Sequence, residues 1–213
     1  MVGRTDGLPF LSQAQVNSAL CTSCGICVGA CPSSTPFRRS EELKTGIDLP
    51  DFSLKELRER TIAAGKALQG PARVLVFACE HGGGRRFDGA VRLPCVAMAP
   101  PSLFDFVLSQ NLADGVVIAG CSESACFNRL GVAWTQQRID GTRDPYLRAR
   151  VPRERIATIW ASALDTGRVA AEIAAFVAKI AALPRKKLRS PKAPTTPKQP
   201  SAQHAPAEAE RAP

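Results

Sequence analysis

Cysteine is the residue through which this chain could do chemistry, and its eight cysteines fall into two sets. The first is Cys21-Thr-Ser-Cys24-Gly-Ile-Cys27-Val-Gly-Ala-Cys31-Pro32, a C-x2-C-x2-C-x3-C-P run. Three thiolates this close in sequence can wrap one 4Fe-4S cubane, and the proline turns the chain after the fourth. Zinc usually takes two separated C-x2-C pairs, and this chain has no such second pair. With only two histidines, mixed Cys/His sites are disfavoured.

The second set, Cys79, Cys95, Cys121 and Cys126, gains meaning from the elements that must position it. Four β-branched or apolar runs, residues 73–79, 90–96, 115–121 and 156–160, read as strands. Helical stretches separate most of them. Residues 101–110 open with proline in a first-turn position, and residues 166–183 place Val169, Ile173, Phe176, Val177 and Ile180 on one face. This alternation predicts an α/β fold with a small parallel, flavodoxin-like sheet and covering helices. Cys79, Cys95 and Cys121 each fall at a strand end, and the carboxyl ends of adjacent parallel strands share one edge. Three or four thiols would converge there. Cys121-x4-Cys126 also has the first spacing of plant-type 2Fe-2S proteins. A single strand-end cysteine is often inert and buried; four on one edge point to ligation. One link is short: residues 80–89 leave little room for a helical crossover. Either the loop with three consecutive glycines crosses without a helix, or the second run does not pair in parallel.

The first set poses its own difficulty. In two-cluster ferredoxins the fourth cysteine of such a run ligates the other cluster, and this chain has one run. Cys31 closes its own cluster, or the fourth ligand comes from elsewhere, or an upstream half is missing. Residues 1–20, with the turn signal Asp6-Gly7 and then Gln13-Ala14-Gln15-Val16, resemble the strand pair joining the two motifs of a dicluster ferredoxin. On that reading Met1 lies inside a longer ancestral frame.

The rest of the chain divides by composition. A ferredoxin-like 4Fe-4S module is expected over 1–36, a linker over 37–70, the α/β iron-sulfur domain over 71–183, and a disordered tail over 184–213. Within the linker, Ser53-Leu54-Lys55-Glu56 is a capping box for a helix over 53–69 that Gly70-Pro71 ends, bracing the two halves. The tail carries seven of the seventeen prolines and almost nothing large and apolar, so burial cannot offset its ordering entropy. It also holds net +5 of the formal +9 charge. The basic balance is therefore mostly a tail property, and no aromatic residues interleave with those cations, which disfavours specific nucleic-acid binding. No apolar run approaches the ~20 residues of a membrane span, and the first twenty residues lack signal-peptide order. A cytoplasmic setting is expected, where thiols stay reduced and metal or redox chemistry explains them better than disulfides.

Val91-Arg-Leu-Pro-Cys95, Pro101-Ser-Leu-Phe104, Ala113-Asp-Gly-Val-Val-Ile-Ala-Gly-Cys121-Ser-Glu-Ser-Ala-Cys126-Phe-Asn-Arg129 and Arg155-Ile-Ala-Thr-Ile-Trp160-Ala-Ser162 resemble the delta subunit of methyl-viologen-reducing hydrogenase. The resemblance covers about residues 73–183. It implies a 2Fe-2S cluster with Cys79, Cys95, Cys121 and Cys126 as ligands, and an electron-transfer role between a hydrogenase or dehydrogenase and a flavoprotein or heterodisulfide-reductase-like partner. The family tends to carry another cysteine three residues after the first, where this chain has Gly82. All four remaining thiols would then be needed.

Other features are weaker. His81-Gly-Gly-Gly-Arg85-Arg86 lacks the ending of a phosphate loop and reads as a flexible connector. His81 itself is a hydrogen-bond donor near Cys79, a substitute ligand, or an exposed loop residue. Trp134 and Trp160 read as core or partner-contact aromatics. The pairs Arg38-Arg39 and Arg85-Arg86 could meet an acidic redox partner or simply be solvated. No nucleophilic triad, paired carboxylates or dinucleotide-binding glycine motif is present, so the sequence shows no substrate chemistry. An electron carrier needs none. A single-cluster redox sensor and a zinc-stabilised scaffold are the alternatives.

Overall fold

The computed structural model of the chain describes residues 2–3, 12–13, 15–31 and 47–184. At the amino end, β1 (Val2–Gly3) and β2 (Ser12–Gln13) pair antiparallel, as the hairpin reading expected; Asp6-Gly7 lies outside the described residues. The cysteine run then enters the short helix α1 (Ile26–Ala30). Pro32, Arg38 and Arg39 lie outside the described residues, as does the expected tail from residue 185 onward.

Helix α2 (Leu54–Ala67) starts where the capping signal puts it, with the Ser53 hydroxyl accepting from the Glu56 amide at 3.1 Å. The other half of the expected box differs. Glu56 accepts from Arg60 at 2.6 Å, and the amide of the first helical residue, Leu54, donates to Asp48 Oδ1 at 2.6 Å. The helix packs on α3 (Pro101–Ser109) and on β4 (Val91–Leu93), with Leu54 and Leu57 fully buried.

Four parallel strands form the sheet: β3 (Val74–Cys79), β4, β5 (Gly115–Gly120) and β6 (Ile156–Trp160), in the order β4-β3-β5-β6. This is the first four strands of the flavodoxin-like order, with its switch point between β3 and β5. Every residue of those two central strands is buried, because helices cover both faces. Side-chain alternation sorts them: Leu75, Phe77, Val116 and Ile118 join α2 and α3, while Val74, Val76, Val117 and Ala119 join α5 (Thr166–Ala182). Val169, Ile173, Phe176 and Ile180 form the expected apolar stripe of α5. Each such side chain, once buried, is worth about 1.5–3 kcal/mol. Phe77 and Phe104 meet edge-to-face at 5.5 Å.

The short link resolves in favour of a parallel crossing without an α-helix: Phe77 to Cys79 pair in register with Val91 to Leu93, and the loop between holds only the 3-10 turn Gly83–Arg86. The three glycines are not a flexible connector. Gly82, Gly83 and Gly84 are buried, and a Cβ on them would lie 2.6 Å from Gly120 O, 2.7 Å from Ser162 O and 2.6 Å from Ala119 Cβ. They let the loop press on the sheet edge. A side chain at 82 would meet the Gly120 carbonyl here.

The amino ends of three strands are tied by arginines, Arg73 just ahead of β3 and Arg155 just ahead of β6, both bonded to Asp114 just ahead of β5. Arg73 bonds to Asp114 through both backbone and guanidinium, and Arg155 donates to Asp114 O at 2.7 Å and to Pro184 O at 2.6 Å. Helix α4 (Gly131–Asp140) was not legible in the sequence. No helix among the described residues is long and apolar enough to cross a membrane.

Candidate metal centres

The fold places the second set of thiols on one edge. Cys79 is the last residue of β3, Cys95 precedes the 3-10 turn Val96–Met98, Cys121 follows β5, and Cys126 follows the 3-10 turn Glu123–Ala125. Cys79, Cys95 and Cys121 are at most 4% exposed, and Cys126 is half-buried. The sulfurs of Cys79 and Cys121 are 3.7 Å apart. Cys95 and Cys126 converge on the first turn of α4, where a Cβ at Gly131 would collide with Cys95 Sγ and lie 3.4 Å from Cys126 Sγ. Cys126 also donates to Cys121, which links the two pairs.

Backbone amides point at these sulfurs. The amides of His81, Ala97 and Phe127 donate to Cys79, Cys95 and Cys121, and the Asn128 side chain donates to Cys95. In the metal-free chain the thiols compete for protons. The hydrogen bond to Cys121 and burial hold the proton on Cys79, and that same bond lowers the pKa of Cys121. Burial pushes the Cys95 thiol up to about 11. Donors aimed at sulfur stabilise thiolates and tune any iron bound to them.

Among the described residues, no three His, Cys, Asp or Glu side chains converge closely enough to hold a single ion. The second set is instead two pairs side by side. A 2Fe-2S centre needs two ligands on each of two irons, so paired thiols suit it better than they suit one zinc. The His81 ring is exposed, stacks on Phe127 with centroids 3.8 Å apart, and lies near enough to Cys121 to lower its pKa.

The first set wraps differently. Ser23 (φ 53) and Gly25 (φ 72) adopt left-handed conformations that curl the loop, and the Ser23 amide donates to Cys21 Sγ at 3.3 Å. The Val28 amide donates to Cys27. Cys21, Cys24 and Cys27 lie within electrostatic reach of one another, while Cys31 caps the carboxyl end of α1. Cys27 is exposed and the other three are half-buried. A cubane binds each thiolate at a separate corner, so its ligands need not meet at one point.

The two sets face each other across the Val96–Met98 turn. Gly25 and Gly29 press on it: a Cβ at 25 would lie 2.6 Å from Met98 Cγ, and one at 29 would overlap the Ala97 carbonyl oxygen. Val28 is fully buried in the core that also contains Cys79, Met98 and Cys121. Cys24 is near enough to Cys95 to raise its pKa. Sequence spacing alone gave no sign of this junction, because Gly29 and Met98 look unremarkable until they touch. Gly131 and Arg138, two turns apart on the buried face of α4, were equally missed.

The Trp160 indole donates to Gln136 at 3.1 Å while its ring covers Gly120, and Trp134 lies under Arg143. Both act as packing aromatics. All eight cysteines are described, and none is in a disulfide.

No curated protein matches the chain. The family model of a 4Fe-4S binding domain matches residues 14–35, which contain the first cysteine run. The model of the methyl-viologen-reducing hydrogenase delta subunit matches residues 74–184, more than half of the chain and the whole of the sheet with its covering α3, α4 and α5. With a 4Fe-4S binding domain ahead of it, the chain belongs to the delta-subunit family of methyl-viologen-reducing hydrogenase.

Proposed function

We propose that this iron-sulfur electron-transfer protein relays single electrons through two centres. A 4Fe-4S cluster is held by Cys21, Cys24, Cys27 and Cys31, and a 2Fe-2S cluster by Cys79, Cys95, Cys121 and Cys126. The clusters supply the electron chemistry; the chain fixes their ligands, excludes water and sets the distance between them. Its partners are a hydrogenase or dehydrogenase on one side and a flavoprotein or heterodisulfide-reductase-like protein on the other, in the cytoplasm.

The observation that carries this reading is the junction at Val96–Met98, where α1 seats on the turn that begins at Cys95. Two cysteine sets that merely stabilised separate modules would have no reason to meet. Supporting it are the amide donors to sulfur and the pairing of the second set into two neighbouring couples. Phe127 and Leu130 are exposed on the loop carrying Cys126 and offer an apolar contact beside the second centre.

Anaerobic purification of the full chain with iron, sulfide and zinc analysis tests it. About six irons and six sulfides per chain are expected from one centre of each kind. About four of each would leave a single-cluster protein and favour a redox sensor, and zinc without sulfide would make the chain a scaffold.

A further inference from the structure

Arg138 is 2% exposed on α4, yet no carboxylate among the described residues pairs with it. Its Nη1 donates to the Ala97 carbonyl at 3.1 Å, and its buried Nε has no partner. Ala97 belongs to the turn that follows Cys95 and carries the junction with α1. The other charged neighbour is a cation, Arg143, which adds repulsion; burial and that repulsion lower the pKa of Arg138, and Cys95 opposes them. A buried guanidinium held by one carbonyl is costly. The other buried arginine, Arg155, shows the usual solution: two carbonyls accept from it, and Asp114 lies at the same end of the sheet.

What is missing around Arg138 is an anion, and the direction in which one would fit is fixed by α4. Gly131, at the start of that helix, touches Cys95 and lies beside Cys126. Arg138 is seven residues on, two helical turns along the same buried face, which also includes Thr135. Both ends of this face pack on the Val96–Met98 turn. Four thiolates and two sulfides outweigh two ferric ions, so a 2Fe-2S centre on these cysteines is an anion, and reduction adds one further negative charge.

We propose that Arg138 is the internal counter-charge of the second iron-sulfur centre, a positioning residue that raises its reduction potential and compensates the charge gained on reduction. The inference rests on the 2Fe-2S reading above. One electron enters the cluster, no bond forms or breaks, and no proton moves, because the guanidinium is charged in both redox states. A fixed cation in a water-poor site favours the more negative, reduced state. The same residue explains why the chain tolerates a buried charge: it is paired only when the centre is loaded.

The test is redox titration of the full-length protein, purified anaerobically, as wild type, Arg138→Gln and Arg138→Lys, with each centre followed by its own paramagnetic signal. Glutamine keeps a donor for Ala97 without the charge, and lysine keeps the charge. Loss of charge should lower the reduced-to-oxidised ratio of the second centre about tenfold at fixed potential, which is about 59 mV for a one-electron couple. Lysine should recover most of it, and the 4Fe-4S centre should move less. An unchanged potential in Arg138→Gln with the centre fully loaded would overturn the proposal, since a purely structural hydrogen bond predicts that result. If Arg138→Gln loads no second centre, retention in Arg138→Lys supports the counter-charge and loss in both overturns it. Absence of a 2Fe-2S signal from the wild type itself would be a failure of the functional reading, and the counter-charge falls with it.

Discussion

Cys79 and Cys121 are 42 residues apart in sequence, and their sulfurs lie 3.7 Å apart. They meet because each ends a central strand, and β3 and β5 are the two strands between which the sheet order reverses. Open α/β sheets bind their ligands in the crevice at that point. A loop-borne pair would depend on loop conformation; this one is set by the register of Val74 with Gly115 and of Ala78 with Ala119. Cys121→Ser or Cys79→Ser should therefore remove the second centre and leave the 4Fe-4S signal in place. Iron content falling by about two per chain checks this, and retention of all iron would contradict the assignment.

Gly29 presses directly on the turn that joins the two cysteine sets. A Cβ there overlaps the Ala97 carbonyl oxygen, a backbone atom that cannot swing aside. Gly29→Ala should cost about 1–3 kcal/mol through overpacking, read as a lowered thermal midpoint. It should also weaken magnetic interaction between the centres. An unchanged midpoint would mean that α1 does not bear on the turn.

The metal-free protein should lose stability as pH rises above about 8.5, the ordinary thiol value. Burial raises Cys95 to about 11 in the folded chain, so the fold binds this proton more tightly than the unfolded chain does. That stabilisation is complete below the unfolded pKa and is lost as pH climbs towards the folded one. The effect is on the order of 2–3 kcal/mol. Cys79 is shifted in the same direction, while Cys121 is shifted down and contributes in the opposite sense at lower pH. Denaturant melts of metal-free wild type and Cys95→Ala at pH 8 and pH 10.5 check it: only the wild type should lose the Cys95 share.

The strand-end cysteines were legible because apolar β-branched runs stop at them, and a parallel sheet turns three such stops into one edge. The capped start of α2 and the stripe of α5 were legible for similar reasons. Helix α4 was not. It begins at Gly131 without a side-chain cap and interrupts its buried face with Arg138, so its pattern reads as polar. The three glycines at 82–84 misled in the opposite way: glycine suggests freedom, but here it permits contact with Gly120, Ser162 and Ala119. Tertiary contact decides such positions, and one sequence does not display it.

Arg155 predicts where the chain can be cut. The residue is 6% exposed, and its guanidinium donates to the Pro184 carbonyl. Removing residues 185–213 should leave stability and iron content unchanged, since that segment is too polar to contribute to a core. Removing residues 183–213 strips this acceptor from a buried cation and should cost about 1–3 kcal/mol. Equal thermal midpoints for the two truncations would contradict the role given to Pro184.

The central claim is that one chain carries two iron-sulfur centres meeting at the turn after Cys95. Low-temperature electron paramagnetic resonance of the fully reduced, full-length protein tests it most directly. The account predicts two reduced-cluster signals, each broadened by the other, with the broadening lost from the 4Fe-4S signal in Cys121→Ser. A single unbroadened signal, unaffected by that substitution, would contradict it.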